Sequence, residues 1–239
     1  MAQVKITTQT IQLPHSQITA FEARPENISD VQAGLVLAQE IFGVNSHIRR
    51  ICEDYARLGF WVVSPAYFDH IEKNIELKYD QEGFQKGFGL MQKIGYETYT
   101  VDTKNTGEWL KAKLGEHKDR KRRLGIVGFC MGGSLTWTMA CKTQGIFDAG
   151  SSYYGGQVLN SMNDIANIPV ILHFGKKDPH IPLKKVREFI TEHPELPVYL
   201  YDADHGFNCD ERGSFHAPSA LLAFTRTLSF FARYLNVKL

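Results

Sequence analysis

Cys130 lies in the stretch LGIVGFCMGGSLTWTMA, residues 124–140, where an apolar run meets glycines and then an apolar pattern with helical spacing. Gly128, Cys130 and Gly132 form GxCxG at this junction, the spacing of a nucleophile elbow with sulfur in place of the usual serine oxygen. The spacing has a physical cause. A turn this sharp strains the nucleophile's backbone and brings the residues two before and two after so close that a side chain would collide. It also sets the sulfur at a helix N-terminus, where unpaired N–H groups and the dipole favour a thiolate, and where the Met131 N–H can help hold an oxyanion. The competing reading is a buried cysteine between glycines that merely let helix and strand pack closely, so partners must decide.

Asp178 follows the apolar run IPVILHFG, and His205 follows PVYLYDAD. The order nucleophile, acid, histidine is that of α/β hydrolases, with each residue beyond the carboxyl end of a separate strand. His205 would then move the proton and Asp178 would fix its tautomer. Rival readings exist for each. Asp178 beside Pro179 could be only a turn former, and Asp202 and Asp204 sit too near His205 to reach it from another strand. His173 lies inside an apolar strand, as a core residue would, and His180 follows Asp178 too closely to present its ring to Cys130.

These residues need a frame, and the chain supplies one. The 239 residues suffice for one large α/β domain, spanning 1–239, and hydrophobic content of 43% is ordinary for a globular chain. The N-terminal stretch MAQVKITTQTIQLP alternates like a strand. VQAGLVLAQEIFG and FWVVSPAYF read as strands around a helix in HIRRICEDYARLG, with Gly59 as its C-terminal cap. A helix in GYETYTVDTKNTGEWLKAKLGEH leads to LGIVGF. Strands near FDAGSSYYGG, IPVILHFG and LPVYLYDAD alternate with helices in MGGSLTWTMACKTQG and LKKVREFITEH, and a last helix runs from Ala217 to Tyr234. Such alternation predicts a three-layer, mostly parallel, doubly wound sheet with ligands beyond the strands' carboxyl ends. Residues 71–94 mix charges, glycines and aromatics without clean period; they read as a mobile surface excursion, a lid or cap.

Taken together, QEIFG, GFCMGG, YYG, FGKKDPHIP, DHGF and RTLSFFARYL resemble the dienelactone hydrolase family of the α/β hydrolases over nearly the whole chain. The resemblance implies a cysteine hydrolase of lactones or related esters, with Cys130, Asp178 and His205 as triad and an acyl-enzyme intermediate. It further implies that Glu40 points at the resting thiol and that the Ile41 N–H completes the oxyanion hole. Family members that act on dienelactone hold its carboxylate with two arginines; His70 and Cys209 stand at those positions here, and Arg212 could reach in instead or pair with Glu211. The implied pocket is lined by Phe42, Tyr67, Phe68, Tyr153 or Tyr154, and Phe207, with 71–94 as cover.

The formal net charge of +1 gives no global field for nucleic acid or membranes. KDRKRR at 118–123 reads as a solvated turn. Cys52 and Cys141 fall on apolar helix faces, and four cysteines without framework spacing suit a reducing cytoplasm. The expected partner is a small-molecule ester or lactone, with no cofactor or metal, in a monomer or weak homo-oligomer. The alternative is a non-hydrolytic binding protein or a thiol redox sensor pairing Cys130 with Cys209.

Overall fold

The computed structural model of the protein describes residues 4–14, 16–117 and 120–238. Its first two strands, β1 (Ile6–Gln12) and β2 (Thr19–Pro25), form an antiparallel hairpin. Then come β3 (Ala33–Ala38), α1 (Ser46–Arg57), β4 (Phe60–Pro65), α2 (Gln81–Ile94) and α3 (Tyr96–Leu114). A two-residue ribbon, β5 (Glu116–His117) and β6 (Arg120–Lys121), precedes β7 (Leu124–Phe129), α4 (Met131–Lys142) and β8 (Ala149–Tyr153). The chain closes with β9 (Val170–Gly175), α5 (Leu183–Glu192), β10 (Val198–Tyr201) and α6 (Ala217–Leu235).

Eight strands join one sheet in the order β1-β2-β4-β3-β7-β8-β9-β10. From β4 to β10 every neighbour is parallel, and only β2 runs against the rest, antiparallel to both β1 and β4. The mostly parallel sheet expected from the alternation is present. The hairpin's second strand, TAFEARP, was not foreseen, because its charged residues interrupt the apolar pattern. Period-two alternation splits the central strands between two cores: Leu35 and Leu37 face one, Val36 and Ala38 the other. α1 and α6 pack into the first core, α3 into the second, and α4 feeds both.

Local chemistry sets the element ends. Asn45 caps α1 by accepting from the Ile48 N–H at 3.2 Å, and Gly59 leaves its C-terminus at φ 92°. Pro65, which has no N–H to donate, ends β4, so the expected strand through Ala66-Tyr67-Phe68 becomes a 3₁₀ turn, Tyr67–His70. Two other expectations are corrected. Within 71–94, residues 81–94 form a regular helix whose N-terminus Asp80 caps through the Gly83 N–H at 2.8 Å. Within 118–123, whose first two residues lie outside the described ones, Arg122 is buried and donates to the carbonyls of Val31, Leu114 and Ile28. It is a structural clamp for three chain segments. No described helix is long and apolar enough to cross a membrane.

Candidate active site

The strand order reverses between β3 and β7: after β3 the chain turns to one side, to β4, and β7 later joins the other side. Loops leaving these two strands therefore diverge and open a crevice between them. The β3 loop carries Gln39, Glu40, Ile41 and Phe42; the β7 loop carries Cys130 and Met131.

Backbone collisions build the elbow. Cys130 sits at φ 53°, ψ −111°, a strained conformation for a residue with a side chain. A Cβ at Gly128 would lie 2.0 Å from the Gly132 carbonyl oxygen, and one at Gly132 would lie 2.0 Å from that of Ala38. Gly133, which the GxCxG pattern does not single out, is equally constrained: its Cβ would stand 2.3 Å from the Tyr153 oxygen. The strained turn is pinned by donation from Cys130 N to Tyr153 O and from Gly132 N to Gln39 O, both at 3.0 Å. Met131 opens α4, and among the described residues neither its N–H nor that of Ile41 donates to a protein acceptor. Two N–H groups without a protein acceptor among the described residues thus belong to residues that line the same cavity as Cys130.

Asp178 and His205 meet from separate strand ends. His205 Nδ1 lies 2.7 Å from Asp178 Oδ2, while Asp178 Oδ1 accepts from the His180 and Ile181 N–H groups at 2.8 and 3.1 Å. Burial disfavours charge on the His205 ring. The sulfur of Cys130 and the carboxylate of Asp178 outweigh it, and the imidazole is pushed up to about 10. The same contacts place the His205 ring within hydrogen-bonding reach of Cys130. Asp204 is spent on the His205 N–H and Asp202 on Lys177. His173 is a core group, bonded to Tyr201 and Thr227.

Glu40 is wholly buried. One oxygen pairs with Arg212 Nη1 at 3.4 Å; the other has no partner among the described residues. The Arg212 guanidinium lies over the rings of Phe42 and Tyr79 and fills the space that a Cβ on Gly206 would need. Arg212 lines the cavity yet pairs with Glu40, while the other partner expected for it, Glu211, bonds Arg50.

A cavity of about 570 Å³ opens above Cys130 and His205. Ile41, Phe42, Met131 and Arg212 contribute from the loops; Phe84, Phe88 and Met91 of α2 and Tyr96 of α3 form a wall. Tyr67, Tyr154 and Phe207, expected at the pocket, are fully buried and do not line it. Tyr67 bonds Thr103 at 2.7 Å. Tyr154, held at φ 38°, lies with its ring centroid 5.1 Å from that of His205 and backs the histidine from behind. The physical reason is depth: these aromatics leave strand ends pointing into the cores, and the cavity begins one layer further out. Residues of α2 were missed because Gly83, Gly87 and Gly89 dilute the pattern, although 84, 88 and 91 have the spacing of one helical face.

The dienelactone hydrolase family model matches residues 18–235. The chain belongs to the dienelactone hydrolase family. A Salmonella typhimurium protein provisionally named carboxymethylenebutenolidase is 32% identical over 239 residues, covering 90% of this chain and 82% of that one. Carboxymethylenebutenolidase of Pseudomonas putida is 28% identical over 207 residues, covering 83% of this chain and 84% of its own. A solved structure provisionally named as a dienelactone hydrolase, from Klebsiella pneumoniae, superposes with TM-score 0.83 at 28% identity, covering 96% of this chain and 100% of that one. The protein is therefore an α/β hydrolase-fold enzyme, an ester hydrolase that acts on small molecules.

In this member of the family, the two positions expected to hold carboxylate-binding arginines hold other chemistry. His70 turns away from the cavity to bond Asp102 of α3 at 2.7 Å. Cys209 is buried, and burial pushes its thiol up to about 12, with Glu40 adding to the shift. A thiol so reluctant to ionise is a poor resolving partner for a sensor. Ligand atoms of His47, Cys209 and Asp210 lie within 4.8 Å of one another, the spacing of a metal site. Arg50 already bonds both Asp210 and His47, which puts a fixed cation where a metal would compete for the same donors.

Proposed function

We propose that the enzyme cleaves a lactone or activated carboxylic ester through an acyl-enzyme on Cys130. The sulfur attacks the carbonyl carbon, and the oxyanion takes hydrogen bonds from the Ile41 and Met131 N–H groups. His205 holds the thiol's proton and gives it to the leaving oxygen as the carbon–oxygen bond breaks. A water then gives a proton to His205 and attacks the thioester; the carboxylic acid departs, and the proton returns to the Cys130 and His205 pair. Asp178 keeps Nδ1 protonated throughout. Glu40, while charged, opposes thiolate formation in the empty site and releases it when substrate displaces the carboxylate. Residues 1–239 act as one such domain. The carboxymethylenebutenolidase name of the relatives supports an enol-lactone substrate.

One observation carries the reading: the His205 imidazole, held by Asp178 at 2.7 Å, lines the same cavity as the Cys130 of a strained elbow. The test is hydrolysis of aryl esters and enol lactones by wild type, Cys130→Ala and His205→Ala. Wild type turns over, the variants lose at least about 10³-fold, and intact mass shows an acyl adduct on wild type alone. Equal rates in the alanine variants would overturn the mechanism.

A further inference from the structure

We propose that the cavity selects uncharged esters or lactones bearing an aromatic or branched apolar group, seated on Phe84, Phe88 and Met91 of α2, and discriminates against substrates with a free carboxylate. This rests on the hydrolase reading above and narrows its substrate class.

The first argument is charge. A carboxylate entering a largely apolar cavity loses its hydration and needs a cation in return. The fixed cation among the described lining residues is Arg212, and it is committed: Glu40 at 3.4 Å, two aromatic faces and the Gly206 backbone surround its guanidinium. A substrate carboxylate would have to share Arg212 with a buried carboxylate that already lacks a partner for one oxygen. It would meet repulsion and strand Glu40 further. His205 is already paired with Asp178 at 2.7 Å, and the exposed ring of His180 packs edge-on to His205.

The second argument is the wall. Phe84 and Phe88, one turn apart, stack at 6.0 Å with 10° between planes and remain 44% and 41% exposed. Two large aromatics left open to water on a cavity wall gain most from an apolar ligand. Their height above the oxyanion donors is fixed, because α2 lies directly on the β3 loop: a Cβ at Gly87 would stand 1.9 Å from the Ile41 oxygen. Gln92 of α2, with Gln157 and Asn160 from the turn after β8, also lines the cavity and offers amides that can bond a neutral ester or ether oxygen without a charge.

Two matched pairs of 4-nitrophenyl esters test this at pH 8: monomethyl adipate against adipate, and phenylacetate against acetate. Wild type should favour the methyl ester over the free acid, and phenylacetate over acetate, each by at least about tenfold in kcat/KM. The double variant Phe84→Ala/Phe88→Ala should lose the preference, the ratio of kcat/KM for phenylacetate to that for acetate falling to within about threefold of one; Phe84→Leu/Phe88→Leu, which keeps apolar surface, should retain part of it. Melting temperatures check that both variants fold. Equal or faster cleavage of the free acid, or an aromatic preference that survives the alanine pair, overturns the substrate class and leaves the hydrolase reading intact. If no ester is cleaved and Cys130 never gains acyl mass, the hydrolase reading fails and takes this inference with it.

Discussion

Two buried histidines of this chain stand in opposite electrostatic states. His173 lies mid-strand in β9, fully enclosed, with Tyr201 and Thr227 hydroxyls on its two ring nitrogens at 2.8 and 3.0 Å. Burial, with Arg226 adding to it, lowers it to about 3. His205 lies beyond β10, is only 9% exposed, and is pushed up to about 10 despite a burial cost of its own. The difference is the partner. Hydroxyls satisfy a neutral ring but bring no negative charge to a protonated one, whereas the buried Asp178 carboxylate and the neighbouring sulfur favour imidazolium in a medium that screens charge weakly. Burial by itself keeps a histidine neutral; burial beside an anchored anion lets it hold a proton.

The comparison breaks hardest at Asp178. Asp178→Asn gives His205 a neutral partner, as His173 has, and kcat should fall by about 10⁴-fold with aryl esters while the melting temperature moves little. Glu40→Gln should cost less, about 10²-fold in kcat, because in the proposed mechanism Glu40 answers to substrate while Asp178 holds the base. By freeing Arg212 it should also narrow the gap between neutral and free-acid substrates, measured as the ratio of their kcat/KM values. His173→Gln should leave kcat/KM within about threefold and cost about 2 kcal/mol in denaturant unfolding, from hydroxyls left unpaired.

His173 also sets an acid limit on stability. Its folded pKa lies below the unfolded value of about 6.5, so below that pH the unfolded chain binds a proton that the native one refuses. Stability therefore falls as pH drops from about 6.5 toward 3, by up to about 1.4 kcal/mol per pH unit from this site. Urea unfolding of wild type and His173→Gln between pH 6.5 and 4.5 should show the steeper fall in wild type; parallel curves would remove His173 from the account. His180→Ala has the smallest expected effect, under about threefold in kcat/KM, since its backbone N–H, not its ring, serves Asp178.

Much of the fold was legible because its signals are local. Apolar runs such as Leu124 to Phe129, broken by turn residues, name buried strands, and Asn45 and Gly59 mark both ends of α1. What resisted were elements whose pattern answers to a distant surface. β2 keeps Glu22 buried because Gln9 and Trp61 bond its carboxylate, at 2.6 and 2.8 Å. α2 carries glycines because the Ile41 and Lys78 carbonyls press against Gly87 and Gly83. Neither cause can be seen along the chain. Of the candidate site, Cys130, Asp178 and His205 could be named from type and spacing alone, whereas the depths of Tyr67, Tyr154 and Phe207 could not.

The sequence by itself determined where a strained turn must form, since only glycine fits at 128 and 132, and in what order acid and histidine follow the cysteine along the strands. Tertiary structure decided what those groups face. The reversal of strand order between β3 and β7 opens the crevice, Asp178 reaches His205 rather than serving only its own turn, and Arg212 folds back onto Glu40 instead of greeting a ligand. Spacing along a chain fixes conformation over a few residues, but charge pairing and cavity walls depend on which segments the sheet brings together, and that is settled by packing across the whole molecule.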